Sequence, residues 1–374
     1  MNRPLPRIGE GDAFDRECMA RALRLAERGL FTTQPNPRVG CVIARDGSVV
    51  GEGFHQRAGE PHAEVHALRM AGAQARGATA YVTLEPCAHF GRTPPCADAL
   101  MAAGIARVVV AAHDPFPQVD GRGIERLRAH GIAVESGLLE ADALELNRGF
   151  FARVRRGRPW LRLKLACSLD GRTALADGSS KWITGDAARA DVQRWRARSG
   201  AILSSVATVR RDDPQLTVRL SEPFAPPVRV IVAGRGALLQ SARLWQDGAA
   251  ANLLVVADDR AVDDVPEGVE VLKVPGESAG PNLHAMLNAL AARDVNEVHT
   301  ECGARLAGSL IDAGLVDELL LYQAPTLLGE AGLPLIAGWN LADLTRRLPM
   351  TLVDRVAVGA DLRFRFRFDW ESAR

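Results

Sequence analysis

The chain is poor in what a nucleic-acid groove, a membrane span or a disulfide framework would require. Aromatic residues make up 5% of its 374 positions, with two tyrosines, too few for the stacking platforms that single-stranded nucleic acid needs. An excess of charge is also missing: Lys+Arg 46 against Asp+Glu 45 leaves a net charge of +1. Such a surface has no long-range pull toward phosphate backbones or anionic lipid. Met1 to Asp12 mix Arg, Pro and acid and carry no apolar core stretch, so neither a secretory signal nor a transmembrane span is expected. The six cysteines are widely scattered. A disulfide framework is therefore not expected, and a reducing cytoplasm is the expected location. No internal repeat and no low-complexity segment is found.

What is present is enough apolar material for two cores: 47% hydrophobic residues in a chain too long for one ordinary domain. The first half alternates helix and strand. Asp15 to Arg28 has helical spacing (Met19, Leu23, Ala26) with Gly29 as a stop. Val39 to Ala44 and Ser48 to Gly53 read as a hairpin about Asp46-Gly47. His62 to Ala73, Pro95 to Ala103 and Gly123 to His130 read as helices, Thr79 to Leu84 and Arg107 to Ala112 as strands. An α/β sheet covered by helices follows. The Arg-rich stretch Leu144 to Pro159 reads as a join, a solvated connecting helix, so we divide the chain into 1–146, a linker 147–158, and 159–374. The second part restarts the alternation, with strands at Trp160 to Ala166, Ala201 to Ser205, Val228 to Ala233, Asn252 to Val256, Glu297 to Glu301 and Glu318 to Gln323. Its helices are Asp186 to Arg198, Asn282 to Ala292 and Arg305 to Ala313, and Thr351 to Phe368 ends in a period-two strand pattern.

Three clusters carry chemistry: His62-Ala63-Glu64, Pro86-Cys87 and Cys96. One imidazole and two thiolates can hold zinc at three corners of a tetrahedron and leave the fourth for water, as catalytic rather than structural sites do. Zinc lowers the pKa of bound water to about 7, and Glu64 is placed to move protons between that water and a departing amine. H-x-E followed by P-C and a further Cys is the pattern of zinc nucleobase deaminases. His66 and His89 are alternative ligands. The i,i+4 pair His62/His66 lacks the adjacent Glu of a zinc protease helix. Eight residues separate Cys87 from Cys96, against two in nucleic-acid and cytidine deaminases. Within that insert Arg92 offers a fixed cation for a phosphate or carboxylate.

The segments Gln34-Pro35-Asn36-Pro37-Arg38-Val39-Gly40, Pro61 to Ala67, Thr83-Leu84-Glu85-Pro86-Cys87 through Cys96, Asp114-Pro115 with Gly121-Arg122-Gly123, and Lys164 to Ala174 together resemble the bacterial bifunctional riboflavin-biosynthesis deaminase/reductases. The resemblance spans nearly the whole chain. It implies an N-terminal cytidine-deaminase-like three-layer αβα domain followed by a dihydrofolate-reductase-like α/β domain. It also implies Zn2+ and NADPH as cofactors, a phosphoribosylated pyrimidine as substrate, no nucleic-acid or membrane partner, and a homo-oligomer. In that family the 2-amino group of a diaminopyrimidine leaves as ammonia, and the ribosyl unit of the resulting uracil is then reduced to ribityl. By the same resemblance Asn36, His55 and Arg92 contact the pyrimidine substrate. The family often has Lys at the position of Arg92, and Arg would instead grip phosphate as a planar fork.

The second half has no clean G-x-G-x-x-G after a strand. Gly121-Arg122-Gly123 and Gly234-Arg235-Gly236 are partial matches. Glu301-Cys302-Gly303 into Ser309 reads as strand, glycine turn and helix, whose free N–H groups suit phosphate. The resemblance assigns Ala166, Trp182, Thr208, Asp212, Gly234, Gly303, Ala304, Arg305, Leu306, Ala307, Gly308 and Ser309 to the cofactor. It assigns Ser180, Arg196, Leu216, Arg219 and Glu301 to substrate. Lys164, in a strand otherwise apolar at Leu161, Leu163 and Leu165, is the first general-acid candidate and Glu301 the second. Cys167, Cys302 and Ala233-Gly234 depart from the family pattern, and Ala233 removes a possible ribose-binding carboxylate. Two competing readings remain at this stage: a nucleic-acid-editing deaminase with an accessory domain, and a non-catalytic zinc scaffold with His89 as fourth ligand.

Overall fold

The computed structural model describes residues 13–88, 94–234, 238–260, 264–277 and 280–370. It divides into two compact units, Met1–Arg156 and Gly157–Arg374.

In the first unit α1 (Ala13–Glu27) leads into the hairpin β1 (Gly40–Arg45) and β2 (Ser48–Phe54). Asp46 and Gly47 both have positive φ, 51° and 74°, the backbone that a tight hairpin turn requires. Then follow α2 (Ala63–Ala71), β3 (Thr79–Leu84), α3 (Cys96–Ala102), β4 (Arg107–Ala112), α4 (Arg122–Ala129), β5 (Ala133–Ser136), α5 (Glu140–Leu146) and α6 (Arg148–Arg156). The sheet order is β2-β1-β3-β4-β5. The hairpin strands are antiparallel, as are β1 and β3, whereas β3, β4 and β5 run parallel. Alternate residues of β4 feed two cores. Val108 and Val110 pack with Ala67, Leu100 and Leu127 of α2, α3 and α4. Val109 and Ala111 pack with Met19, Ala143 and Phe151 of α1, α5 and α6. This is the expected three-layer αβα arrangement. The short β5 and α5 have no counterpart in the sequence reading. The arginine-rich stretch is helical, with Phe150 and Phe151 buried in the first unit. Arg148 is buried and pairs with Glu145 at 2.6 Å, while Arg155 and Arg156 face solvent.

The second unit contains β6 (Trp160–Cys167), β7 (Arg172–Ala174), α7 (Asp186–Arg198), β8 (Ala201–Ser205), α8 (Val206–Asp212), β9 (Val228–Val232), α9 (Arg243–Gln246) and β10 (Asn252–Ala257). Next come β11 (Val269–Val274), β12 (Gly276–Glu277), β13 (Gly280–Pro281), α10 (Leu283–Ala292), β14 (Glu297–Glu301), α11 (Ala304–Asp312), β15 (Glu318–Gln323), β16 (Leu333–Pro334), β17 (Met350–Val358) and β18 (Asp361–Phe368). Nine strands form one sheet in the order β11-β10-β9-β8-β14-β6-β15-β18-β17. Strands from β11 to β15 in that order are parallel, and β18 and β17 are antiparallel. The tail expected as a strand pattern is thus a hairpin that closes one edge.

One face of this sheet is apolar, with Leu161, Leu163 and Leu165 of β6 packed with residues of α10 and α11. The opposite face of β6 is charged. Arg162, wholly buried, meets Glu297 at 2.9 Å and Glu318 at 2.6 Å. Its guanidinium also lies 4.5 Å from the ring centre of Trp195 on α7. Ions in such a place persist only when paired. All six tryptophans of the chain (160, 182, 195, 245, 339, 370) belong to this unit. Among the described residues no helix is long and apolar enough to cross a membrane.

Candidate functional site

In the first unit α2 lies unusually close to β2. A methyl group added at Gly53 would meet the His66 Cβ at 2.5 Å and the Ala63 carbonyl oxygen at 2.6 Å. Only glycine permits that approach. It packs α2 against β2 and β1, with His62 capping the helix and Glu64 in its first turn. Cys87 follows β3, and Cys96 opens α3 after Pro95.

These three side chains converge. The His62 Nδ1 is 3.2 Å from the Cys96 Sγ and 3.6 Å from the Cys87 Sγ. All three ligand atoms lie within 4.8 Å of one another. A tetrahedral zinc ion with bonds of about 2.0 and 2.3 Å would set its N···S edges at roughly 3.6 Å, so the trio fits the ion. The Cys96 backbone N–H donates to the Cys87 Sγ at 3.3 Å. The Cys96 thiol and then His62, acting against burial, hold Cys87 far below the ordinary thiol range. Glu64 is 3% exposed, and its Oε2 is buried with no hydrogen-bond partner among the described residues. Burial raises its pKa, although the neighbouring His62 opposes the rise. A buried polar atom left unmatched in this way calls for a partner from outside the chain.

His55 stands edge-on to His62, with ring centres 5.3 Å apart. Its Nδ1 faces the Pro61 carbonyl at 3.2 Å and its Nε2 faces the Asn36 Nδ2 at 3.1 Å. The carbonyl can only accept, so Nδ1 carries the proton and Nε2 accepts from the Asn36 amide. Burial lowers the His55 pKa, which agrees with a neutral ring. The structure thus gathers Asn36 and His55 beside the metal-ligand trio. Arg92 and the alternative ligand His89 lie outside the described residues.

In the second unit, β6 and β14 set Lys164 opposite Glu301 in register. Arg196 of α7 grips Glu301 with two parallel hydrogen bonds, Nε to Oε1 at 2.5 Å and Nη2 to Oε2 at 2.8 Å, and donates a third to the Thr217 carbonyl at 2.7 Å. Burial would raise the Glu301 pKa, but Arg196 and then His299 bring it well below the ordinary carboxylate range. In this arrangement both Glu301 carboxylate oxygens accept from the Arg196 guanidinium. Burial lowers the Lys164 pKa, with Glu301 opposing and Arg196 adding to the effect. Its Nζ lies 5.8 Å from the ring centre of Tyr322, whose hydroxyl donates to Asp191 at 2.6 Å. Arg219 is exposed beside this pair, and burial of part of it together with Arg196 lowers its pKa.

Gly303, which has no side chain to offer, is the N-cap of α11, so its first-turn N–H groups at Ala304, Arg305 and Leu306 receive no side-chain cap from that residue. Gly308 lies under Ala337, whose carbonyl would be 2.0 Å from an added methyl group. Ala307 is in the core and the Ser309 hydroxyl donates to the Arg305 carbonyl. Thr208 sits in the first turn of α8, where the Ser205 hydroxyl accepts from its N–H at 3.2 Å. The Asp212 carbonyl accepts from Lys181 at 3.4 Å. Leu216 is buried with φ of 51°, whereas Trp182 is 69% exposed and carries the Arg189 guanidinium 4.5 Å from its ring centre. Ala166 packs partly buried near Tyr322. Ser180 and Gly234 are described, but residues 235–237 after Gly234 are not.

Fold and site together define a two-part enzyme, a deaminase with a zinc-binding centre joined to a reductase. Residues 12–112 match the family model of the cytidine and deoxycytidylate deaminase zinc-binding region, and residues 159–363 match that of the RibD C-terminal domain. The chain is 52% identical over 328 residues to the riboflavin biosynthesis protein RibD of Escherichia coli, covering 84% of this chain and 89% of the relative. It is 46% identical to the Haemophilus influenzae RibD over 93% of this chain and 96% of the relative. An Acinetobacter baumannii RibD structure superposes with a TM-score of 0.87 at 44% identity, covering 95% of this chain and 99% of that one. The chain belongs to the RibD family, the bifunctional deaminase/reductases that act on pyrimidine intermediates of riboflavin biosynthesis.

Proposed function

We propose that the first unit removes the 2-amino group of 2,5-diamino-6-(5-phosphoribosylamino)pyrimidin-4-one as ammonia. The second unit then uses NADPH to reduce the ribosyl side chain of 5-amino-6-(5-phosphoribosylamino)uracil to ribityl. A solved Thermotoga maritima relative, 35% identical with a TM-score of 0.85 and covering 95% of this chain and 99% of that one, is a diaminohydroxyphosphoribosylaminopyrimidine deaminase/5-amino-6-(5-phosphoribosylamino)uracil reductase. The observation that carries the proposal is the meeting of His62, Cys87 and Cys96 beside the unpartnered Oε2 of Glu64.

His62, Cys87 and Cys96 would hold zinc, which when bound supplies a hydroxide nucleophile near neutral pH. Glu64 Oε2 takes up a proton and returns it to the departing amine nitrogen, a role eased by the raised pKa that burial gives it. Asn36, held by His55 through its Nδ2, contacts the pyrimidine, and Arg92 completes this substrate set as a cation for the phosphate. In the second unit NADPH supplies hydride. The Gly303–Ser309 turn, with Ala166, Trp182, Thr208, Asp212 and Gly234, binds that cofactor. The first-turn N–H groups at the head of α11 support this placement. Ser180, Leu216 and Arg219 bind substrate, with the exposed guanidinium of Arg219 the cation for its phosphate. Arg196 keeps Glu301 ionised and aimed, and Lys164, made more acidic by burial, gives the proton that accompanies reduction. We assign deamination to 1–146 and reduction to 159–374, in a cytoplasmic homo-oligomer. The balanced charge favours a small-molecule substrate over nucleic acid.

The test uses full-length zinc-loaded protein, the diaminopyrimidine phosphate and NADPH. Ammonia should appear first, and NADPH oxidation should follow. Absence of both would remove the proposal, and a salt-sensitive affinity for RNA or DNA would revive the editing alternative.

A further inference from the structure

Glu85 stands two residues before Cys87 and has a wholly buried side chain. Its carboxylate does not face the metal trio. It is directed to the neighbouring helix, where Oε1 accepts from the backbone N–H of Gly123 at 3.0 Å and of Ile124 at 3.2 Å. Oε2 accepts from Gly121 at 3.1 Å and Asp114 at 3.4 Å, with the His113 Nδ1 3.6 Å away. One side chain thus ties the end of β3 to the loop after β4 and to the first turn of α4. The join is tight: a methyl group at Gly123 would lie 1.9 Å from the Pro86 carbonyl oxygen. On its other side Cys87 is tied to α3, where its carbonyl accepts from Ala97 at 3.2 Å and its Sγ from the Cys96 N–H at 3.3 Å.

Between these two anchors the chain runs through Pro86, whose ring fixes φ. Little freedom is left for the Cys87 thiolate. We propose that Glu85 is a positioning residue for the deaminase centre: by anchoring β3 to α4 it sets where the Cys87 sulfur stands relative to His62 and Cys96, and so sets metal affinity and ligand geometry. It is not one of the three candidate metal ligands. The arrangement demands a carboxylate, because each oxygen accepts from two main-chain donors. An amide in its place would turn an NH2 group toward N–H donors and leave them buried and unmatched.

The inference rests on the metal-centre reading above, and its test separates the two. Zinc affinity of the full-length protein is measured by chelator competition for wild type, Glu85→Gln and Gly123→Ala, and the absorption of each Co2+-loaded protein is recorded. Reduction of supplied deaminated intermediate serves as the control for the second unit. Glu85→Gln should weaken zinc binding about 10- to 100-fold and shift the thiolate–cobalt charge-transfer and d–d bands. Gly123→Ala, which pushes on Pro86 from the other side of the contact, should move both readouts the same way. A Glu85→Gln protein that loses thermal stability alone, with wild-type zinc affinity and an unchanged cobalt spectrum, overturns the proposal and leaves the metal centre standing. Should that variant not accumulate folded, Gly123→Ala decides by the same two measurements. A wild-type protein that takes up no stoichiometric zinc removes the metal-centre reading and this proposal with it.

Discussion

Glu64 is buried and Lys164 partly buried, and desolvation moves their pKa values in opposite directions, the carboxyl up and the ammonium down. Each shift brings the group closer to the pH at which it would trade protons. Glu64→Gln keeps the shape of the side chain and removes its basicity. Ammonia release should fall by about 10²- to 10⁴-fold, while zinc content measured on the purified protein stays at the wild-type level. Lys164→Met should leave ammonia release intact and lower NADPH oxidation by a similar factor, with NADPH affinity measured separately to show that the cofactor site survives. His62, Cys87 and Cys96 were legible in the sequence because few residue types bind zinc and their order is specific. The Arg196–Glu301 pair was not, since its partners are 105 positions apart and only the packing of α7 on β14 joins them. Glu85 stands in the Thr83–Cys87 segment, where the sequence alone gives it no role of its own. Its meaning depends on α4 returning to it through space.

The elements place these residues by close packing. The approach of α2 to β2 at Gly53 carries His62 and Glu64 with it. Gly53→Ala should cost about 1–3 kcal/mol as α2 is pushed outward, and chelator competition should show weaker zinc binding. In the second unit His299 of β14 is wholly buried. Burial first, helped by Arg162 and Arg196 and opposed by Glu301, lowers its pKa from 6.5 to about 4. The folded protein therefore holds it neutral, while the unfolded chain takes up a proton on it at higher pH. Its contribution to stability is complete above about pH 6.5 and is lost as pH falls toward 4, on the order of 3 kcal/mol in all. Urea unfolding of the second unit at stepped pH should show that slope, and His299→Leu should flatten it. The long periodic elements were legible from sequence within a residue or two. The short β5, α8 and α9, and β11 at the sheet edge, were not, because four to seven residues carry too little periodicity to separate a brief element from a loop.

At the scale of the whole molecule the chain is two units with separate chemistry. The restart of the helix–strand alternation after Pro159 made that division legible, whereas the arginines of α6 concealed that Phe150 and Phe151 belong to the first core. Cys87→Ser should abolish ammonia release and leave reduction of supplied deaminated intermediate unchanged. Treatment of wild-type protein with a zinc chelator should do the same. Loss of both activities in either experiment would show that the second unit depends on the first.

The crowding of every indole into one unit has a practical consequence. Light absorbed near 295 nm, a wavelength that selects indole over tyrosine, excites the second unit alone, and the first stays optically dark. A single emission trace therefore follows the loosening of one half of an intact chain, with no label and no dissection. One indole placed in the first half by substitution would let an observer watch which of the two lets go first.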